Sequence, residues 1–276
     1  MLKQRVITAM VLMAILLAAF ALGRLAFVLV ATLLIGAAAF EWLRLAGLPG
    51  RIAAVLGTVF AALLLAIELL GRTPVGPVLT LIVAGACAVW LSLLVMLLQA
   101  ERGGVRLGRK VSFVLCLTLL AAAWFALLYL HALGIVALLS VLALVWLADI
   151  AAYFAGRAFG KRKLAPSISP GKTWAGVYGA LAGVVLSAAL ARVLWPSAPV
   201  FSTQLFAVLN PVVVLVLLCV LVAVSIVGDL FESLMKRQAG MKDSSGLLPG
   251  HGGVLDRIDA LLPVLPAAVL IQRWIN

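Results

Sequence analysis

The sequence predicts an all-α, polytopic integral membrane protein of about nine transmembrane helices with a cytoplasmic N-terminus. Three observations carry this expectation. Of 276 residues, 66% are hydrophobic and 11% charged, with a mean hydropathy of +1.28, which lies outside the range of soluble globular domains. Apolar runs of roughly 20 residues, the length that crosses a bilayer as a helix, recur along the whole chain. The 21 Lys and Arg outnumber the 9 Asp and Glu, and they gather in alternate breaks between the runs, as cytoplasmic loops do.

Taken in order, the expected spans cover about 6–22, 25–46, 52–70, 77–98, 111–130, 134–155, 175–195, 205–228 and 254–272. The breaks carry turn and loop chemistry: Gly23-Arg24, Gly47 to Arg51 around Pro49, Gly71 to Pro77, the charged 101–110 run, and Pro196 to Ser202. The first run, with Lys3 and Arg5 ahead of it, competes with a cleaved signal peptide. It is longer than a signal core and more spans follow at once, which favours a retained helix. With the N-terminus inside, Arg24, Arg72, Arg192 and Arg273 lie on the outer side. The cytoplasmic side holds Lys3, Arg5, Arg44, Arg51, Arg102, Arg106, Arg109, Lys110, Arg157, Lys161, Arg162, Lys163, Lys172, Lys236, Arg237, Lys242 and Arg257. An eight-span arrangement scatters these cations over both faces. The chain divides into 1–130, about five spans with few polar groups, and 131–276, which carries a cytoplasm-facing site. Glu41 and Glu68 lie near span ends and read as interfacial. His131 stands alone near the far face, and the seven tryptophans include interface anchors.

The net charge of +12 does not indicate nucleic acid, because the cations sit in short loops beside lipid headgroups. Cys87, Cys116 and Cys219 each fall within an apolar run and read as small buried hydrophobes. The chemistry collects in two stretches. In residues 229–259 lie Asp229, Glu232, Asp243, Asp256 and Asp259, with Lys236, Arg237, Lys242, Arg257 and a Gly-His-Gly-Gly turn at 250–253. Clustered carboxylates bind hard cations, Lys and Arg bind phosphate, and a glycine-rich turn frees backbone N–H groups for an anion. The combination points to metal-assisted work on a phosphorylated substrate. The second stretch, 149–173, opens with Asp149 inside a span, a carboxylate whose insertion costs roughly 2.5–3.5 kcal/mol at a helix centre and which reads as functional by default. Reaching water or pairing with Arg157 is its bland alternative. Asp149, Tyr153, Gly156 and Gly160 share one helix face, where the glycines serve a ligand or helix packing equally well. The SPGKT run at 169–173 lacks the spacing of a nucleotide P-loop, and no strand is expected before it.

Both stretches resemble the phosphatidate cytidylyltransferase (CDP-diacylglycerol synthase) family. The first carries Ser233, Lys236, Arg237, Lys242, Asp243, then Pro249, Gly250, His251, Gly252, Gly253, then Asp256, Arg257 and Asp259. The second carries Asp149, Ala152, Tyr153, Gly156, Arg157, Gly160, Lys161, Ser169, Pro170, Lys172 and Thr173. It departs at Ala175, near which many relatives have Glu or Gln. The resemblance covers roughly the C-terminal 130 residues. It implies transfer of CMP from CTP to phosphatidic acid in the inner membrane, with release of pyrophosphate and assistance from Mg²⁺ and room for a second cation. It implies a catalytic group of Asp229, Asp256, Lys236 and Asp259, with the metal on Asp229 and Asp256. Substrate contacts then fall to Arg237, Lys242, Asp243, His251, Gly252, Gly253, Arg257, Ser169, Lys172, Thr173, Asp149, Tyr153 and Arg157. Asp243 reads equally well as a solvated loop residue, and His251 as a phosphate contact or turn former. Glu232 reads as structural, paired with Lys236. The partners are the bilayer and the two substrates, not nucleic acid, and the sequence leaves room for a homodimer. A membrane polyprenol or phytol kinase, an ion-coupled transporter and an inactive paralogue are the rival readings.

Overall fold

The computed structural model describes residues 2–101 and 106–275, with the side chains of 2–6 and 9 excluded. Lys3, Arg5 and Arg102, used above for orientation, lie outside the described side chains. The chain folds as α1 (Leu2–Ala21), α2 (Arg24–Leu45), α3 (Gly50–Leu69), α4 (Gly76–Glu101), α5 (Arg109–Leu133) and α6 (Ile135–Phe159). Then come β1 (Lys163–Ala165), β2 (Ser169–Thr173), α7 (Trp174–Leu194), α8 (Phe201–Val208), α9 (Pro211–Gln238), α10 (Leu255–Ile258) and α11 (Leu261–Ile275). Among the described residues, eight helical segments are long and apolar enough to span a bilayer, with α10 and α11 together forming the eighth. The part of α1 from Met10 to Ala21 adds a ninth apolar helix.

Successive helices run antiparallel, and contacts at each end show it. At one end, Thr8 Oγ1 of α1 donates to Pro249 O at 2.7 Å, and Glu41 near the end of α2 meets Leu255 N at 2.6 Å. At the other end, Arg24 pairs with Glu68 at 2.6 Å, and Arg273 Nε donates to Thr80 Oγ1 at 2.5 Å. His131 is there too, stacked on Phe27 with ring centroids 4.1 Å apart, so it does not stand alone. Polar loops 160–173 and 239–254 both lie at the first end.

Small residues let the helices approach, as membrane packing requires. Gly176, Gly179 and Gly183 of α7 face Ala151, Ala152 and Ala155 of α6. A Cβ on Gly179 would stand 2.3 Å from that of Ala155. Trp42, Trp90 and Trp124 are buried in the core, while Trp146, Trp195 and Trp274 are exposed and fit the role of anchors. The indole N–H of Trp42 donates to Ser112 Oγ and that of Trp124 to Thr32 Oγ1, each at 3.1 Å, which meets the need of a buried donor. The three cysteines are free.

Three elements differ from expectation: the eighth span, the last span and a hairpin. The eighth span begins at 211, not 205, because Asn210 caps it through Oδ1 to Val213 N at 3.0 Å and Pro211 takes the first position. It also continues to Gln238, ten residues beyond its expected end, and so places Asp229, Ser233, Lys236 and Arg237 on a rigid helix. The last span breaks at Asp259-Ala260. Pro263 has no N–H for the carbonyl of Asp259, and its ring crowds that turn. The third difference is the antiparallel hairpin β1–β2 within an otherwise helical chain.

Candidate active site

The hairpin exists to present Lys172 and Thr173. Thr173 ends β2 and caps α7, its Oγ1 accepting from Gly176 N at 3.1 Å. Gly156 and Gly160 make space for it. A Cβ on Gly156 would stand 3.0 Å from Thr173 Oγ1, and one on Gly160 would stand 2.8 Å from Thr173 Cγ2. These two glycines therefore serve packing. The tip of the hairpin is held from two sides. Glu101, ending α4, accepts from Ser167 N at 3.1 Å and from Ser167 Oγ at 2.6 Å, and Arg237 Nε donates to Ile168 O at 3.3 Å. Ser169 pairs across the hairpin with Ala165 and does not line a cavity.

A cavity of about 460 Å³ opens between α6, the hairpin, α7 and α9. Asp149, Tyr153, Arg157, Lys172, Thr173 and Asp229 supply its polar wall, and Ala148, Val177, Ala180 and Ile226 its apolar floor. Lys172 Nζ lies 2.7 Å from Asp229 Oδ2. Arg157 turns to Tyr153, with Nη1 3.3 Å from the phenol oxygen, so Asp149 is not its partner. Asp149 faces the cavity without a hydrogen bond among the described residues.

The loop 239–254 encloses a second cavity of about 670 Å³ lined by Lys242, Asp243, His251, Gly252 and Arg257. Arg257 braces its wall, donating to His251 O from Nε at 3.1 Å and from Nη2 at 2.6 Å. Between the two cavities, Lys236 is held by two carboxylates. Its Nζ is 2.7 Å from Asp256 Oδ1 and in closer contact with Glu232. Glu232 is structural, as expected, and nearly inaccessible at 3% exposure. Asp256 Oδ2 accepts from Gly253 N at 2.7 Å, Ser244 Oγ at 2.9 Å and Ser244 N at 3.0 Å. Asp259 lies beyond the last residue of α10, where its Oδ1 accepts from Ala260 N at 2.8 Å. Gly228 lets this break settle on α9, since a Cβ there would be 2.3 Å from Asp259 O.

The two carboxylates named for a metal differ in the acceptor capacity left to them. Asp229 Oδ1 has only Ser233 Oγ, at 3.4 Å. Among the described residues Asp256 has four donors, Lys236 Nζ on Oδ1 and Gly253 N, Ser244 N and Ser244 Oγ on Oδ2, as many as the about four acceptor sites of a carboxylate. Mg²⁺ commonly takes one or two carboxylates and completes its shell with substrate phosphates. Among the described residues, no group of three His, Cys, Asp or Glu is arranged to hold a metal. A substrate-completed site fits Asp229, and Asp256 would join it through Oδ1 in place of Lys236.

Sequence reasoning misread Glu41 and passed over three other residues. Glu41 was expected at the interface, yet its exposure is 0%. It accepts from Ser244 Oγ at 3.0 Å, Ser245 Oγ at 2.5 Å, Val254 N at 3.0 Å and Leu255 N at 2.6 Å. The correction has a physical reason: the N–H groups that open α10 have no partner in their own helix, and Glu41 satisfies them from α2. The argument that singled out Asp149, a carboxylate inside an apolar helix, applied equally to Glu41. Glu101, Ser244 and Ser245 were also missed.

Comparison with known proteins identifies the family of the chain. Residues 3–274 match the model of the cytidylyltransferase family. The chain is 44% identical over 285 residues to a phosphatidate cytidylyltransferase of Pseudomonas aeruginosa, covering 99% of each protein. A protein of the same name from Haemophilus influenzae is 50% identical over 133 residues, 48% of this chain and 44% of that one. One from Brucella suis is 45% identical over 137 residues, half of this chain and 46% of its own length. The chain, matched over nearly its whole length, belongs to the cytidylyltransferase family.

Proposed function

We propose that the protein transfers a cytidylyl group from CTP to phosphatidic acid, giving CDP-diacylglycerol and pyrophosphate at the cytoplasmic face of the membrane. One observation carries this reading: an apolar-floored cavity among spanning helices ends in Asp149, Lys172 and Asp229. Such a cavity suits a lipid whose headgroup is an anion. The full-length similarity to a named phosphatidate cytidylyltransferase supports it. Orientation follows from charge: Arg24, Arg72, Arg192 and Arg273 lie at the end opposite the site, and the other described cations lie at the site end.

In the reaction a phosphate oxygen of phosphatidic acid forms a bond to the α-phosphorus of CTP. The bond from that phosphorus to the bridging oxygen breaks, and pyrophosphate leaves. Both reactants are anions, so the protein's task is to neutralise and align them. Lys172 meets the lipid phosphate in the first cavity, with Arg157 and Tyr153 on its rim. Lys242, Arg257 and the His251 turn suit the triphosphate in the second. Lys236 holds the carboxylate of Asp256 in place. Asp229 and Asp256 would hold Mg²⁺, which when bound supplies positive charge to the phosphate oxygens.

The test uses protein purified in detergent with phosphatidic acid, radiolabelled CTP and Mg²⁺. Labelled CDP-diacylglycerol from the wild type, absent with Asp229→Asn, supports the reading. A folded wild type that makes none overturns it. Label appearing in CDP when polyprenol or phytol replaces phosphatidic acid, with the phosphorylated alcohol as co-product, assigns the kinase reading.

A further inference from the structure

The first 130 residues hold three carboxylates, Glu41, Glu68 and Glu101. Glu68 pairs with Arg24 and Thr73 at the end away from the site. Glu101 holds the tip of the hairpin. Glu41 is inaccessible to solvent, and the substrate cavities described above do not include it.

Both oxygens of Glu41 are fully used. Oε1 takes Ser245 Oγ and Val254 N, and Oε2 takes Ser244 Oγ and Leu255 N. Four donors match the number of sites a carboxylate offers. A carboxylate buried without them would be strongly destabilising. Its partners come from both ends of the loop: Ser244 and Ser245 follow its entry, and Val254 and Leu255 close it. One side chain on α2 therefore fixes the separation of the two loop ends.

Two further contacts connect this clamp with the reaction centre. Ser244 Oγ stands 3.0 Å from Glu41 Oε2 and 2.9 Å from Asp256 Oδ2, so the two carboxylates share the single proton of one hydroxyl. Gly253, whose N–H also donates to Asp256, lies flat against Glu41. A Cβ there would stand 2.5 Å from Glu41 Oε1 and 2.0 Å from Ser244 Oγ. The last glycine of the Gly-His-Gly-Gly turn is thus required by the carboxylate from α2, independently of any phosphate.

From these contacts we infer that Glu41 is a positioning residue for the transfer reaction: it sets the shape of the 244–255 loop and, through Ser244 and Gly253, the orientation of the Asp256 carboxylate. It touches neither substrate. The inference rests on the proposed cytidylyl transfer and assigns the N-terminal helices a part in it.

The test compares wild type with Glu41→Gln, Glu41→Asp and Ser245→Ala in the same detergent. Gln keeps length and shape but presents an N–H group where a backbone N–H now finds an acceptor. Asp is one methylene too short. Changes to groups that orient an active carboxylate lower activity by about 10–100-fold, and kcat in both Glu41 variants is expected to fall in that range. KM for phosphatidic acid should stay within about twofold, because the lipid cavity is formed by other elements. The independent readout is tryptic cleavage after Lys242, an exposed residue of the loop, which should be faster in the Glu41 variants. Ser245→Ala removes one donor without disturbing α2 and should show a smaller change in the same direction, which keeps the test valid if a Glu41 variant fails to fold. Wild-type kcat with wild-type cleavage in Glu41→Gln overturns the inference. So does activity that falls only as far as the melting temperature and folded fraction fall. An inactive wild type would instead defeat the proposed reaction, so the two failures are distinct.

Discussion

Replacing Lys236 by Met tests the electrostatic frame of the site most directly. Met has similar length and keeps the packing of α9, but it removes the only cation shared by Glu232 and Asp256. Their side chains are 3% and 8% exposed, and that of Lys236 is 15% exposed, so solvent screens the group little. Breaking a buried ion pair by removing one partner costs about 3–5 kcal/mol, because a charge is left uncompensated. Asp256 keeps the three donors on its other oxygen, which argues for the lower part of that range. For a chain of this size the loss corresponds to a fall in Tm on the order of 10 °C. Thermal unfolding in detergent, followed by a thiol-reactive dye on buried Cys116 in a Cys87→Ala, Cys219→Ala background, measures it. A double variant that also carries Glu232→Met removes one of the stranded charges and should recover more than half of the loss. A fall of less than about 2 °C in the single variant would refute the argument, as would a double variant less stable than the single one.

Four other predictions concern separate parts of the molecule. Lys172→Ala should raise KM for phosphatidic acid and lower kcat/KM by about 10²–10³-fold, the range for removing one donor to a reacting anion, with the KM for CTP changed far less. Glu101→Ala should loosen the hairpin and raise the lipid KM severalfold while leaving Tm within about 2 °C, since an exposed hydrogen-bonded group contributes only about 1 kcal/mol to the fold. Gly179→Leu should abolish folded protein on size exclusion, because even a Cβ there would stand 2.3 Å from Ala155 Cβ. Chelation of divalent ions should stop labelled product, and added Mg²⁺ should restore it with Tm unchanged.

How far the sequence discloses such a structure depends on the range of the interaction concerned. The spans were legible because each is a continuous apolar run of about the length a bilayer sets. Asp149, Lys172 and Asp229 were legible as charged residues beside such runs, and the structure brings all three to one cavity. Asn210-Pro211 was a readable helix start, but the apolar residues just before it belong to α8 and concealed the boundary. Asp256 is in the expected position, although nothing local discloses that Ser244, Gly253 and Lys236 all bind it. Glu41 was misread because its hydrogen-bond partners lie 203 to 214 residues away. No pattern in a single helix can report a partner at that separation.

That separation affects how the protein is made. Chains are synthesised at about 5–20 residues per second, so the Glu41 side chain precedes Leu255 out of the ribosome by roughly 10–40 s. Throughout that interval its carboxylate has none of its four eventual donors. A position within about one turn of the end of α2 lets it stay hydrated at the membrane surface until they arrive. The loop cannot take its final shape before the last helix enters the bilayer. An interrupted chain therefore has spans but no assembled site, and a partly made protein cannot consume CTP while its translation is still under way.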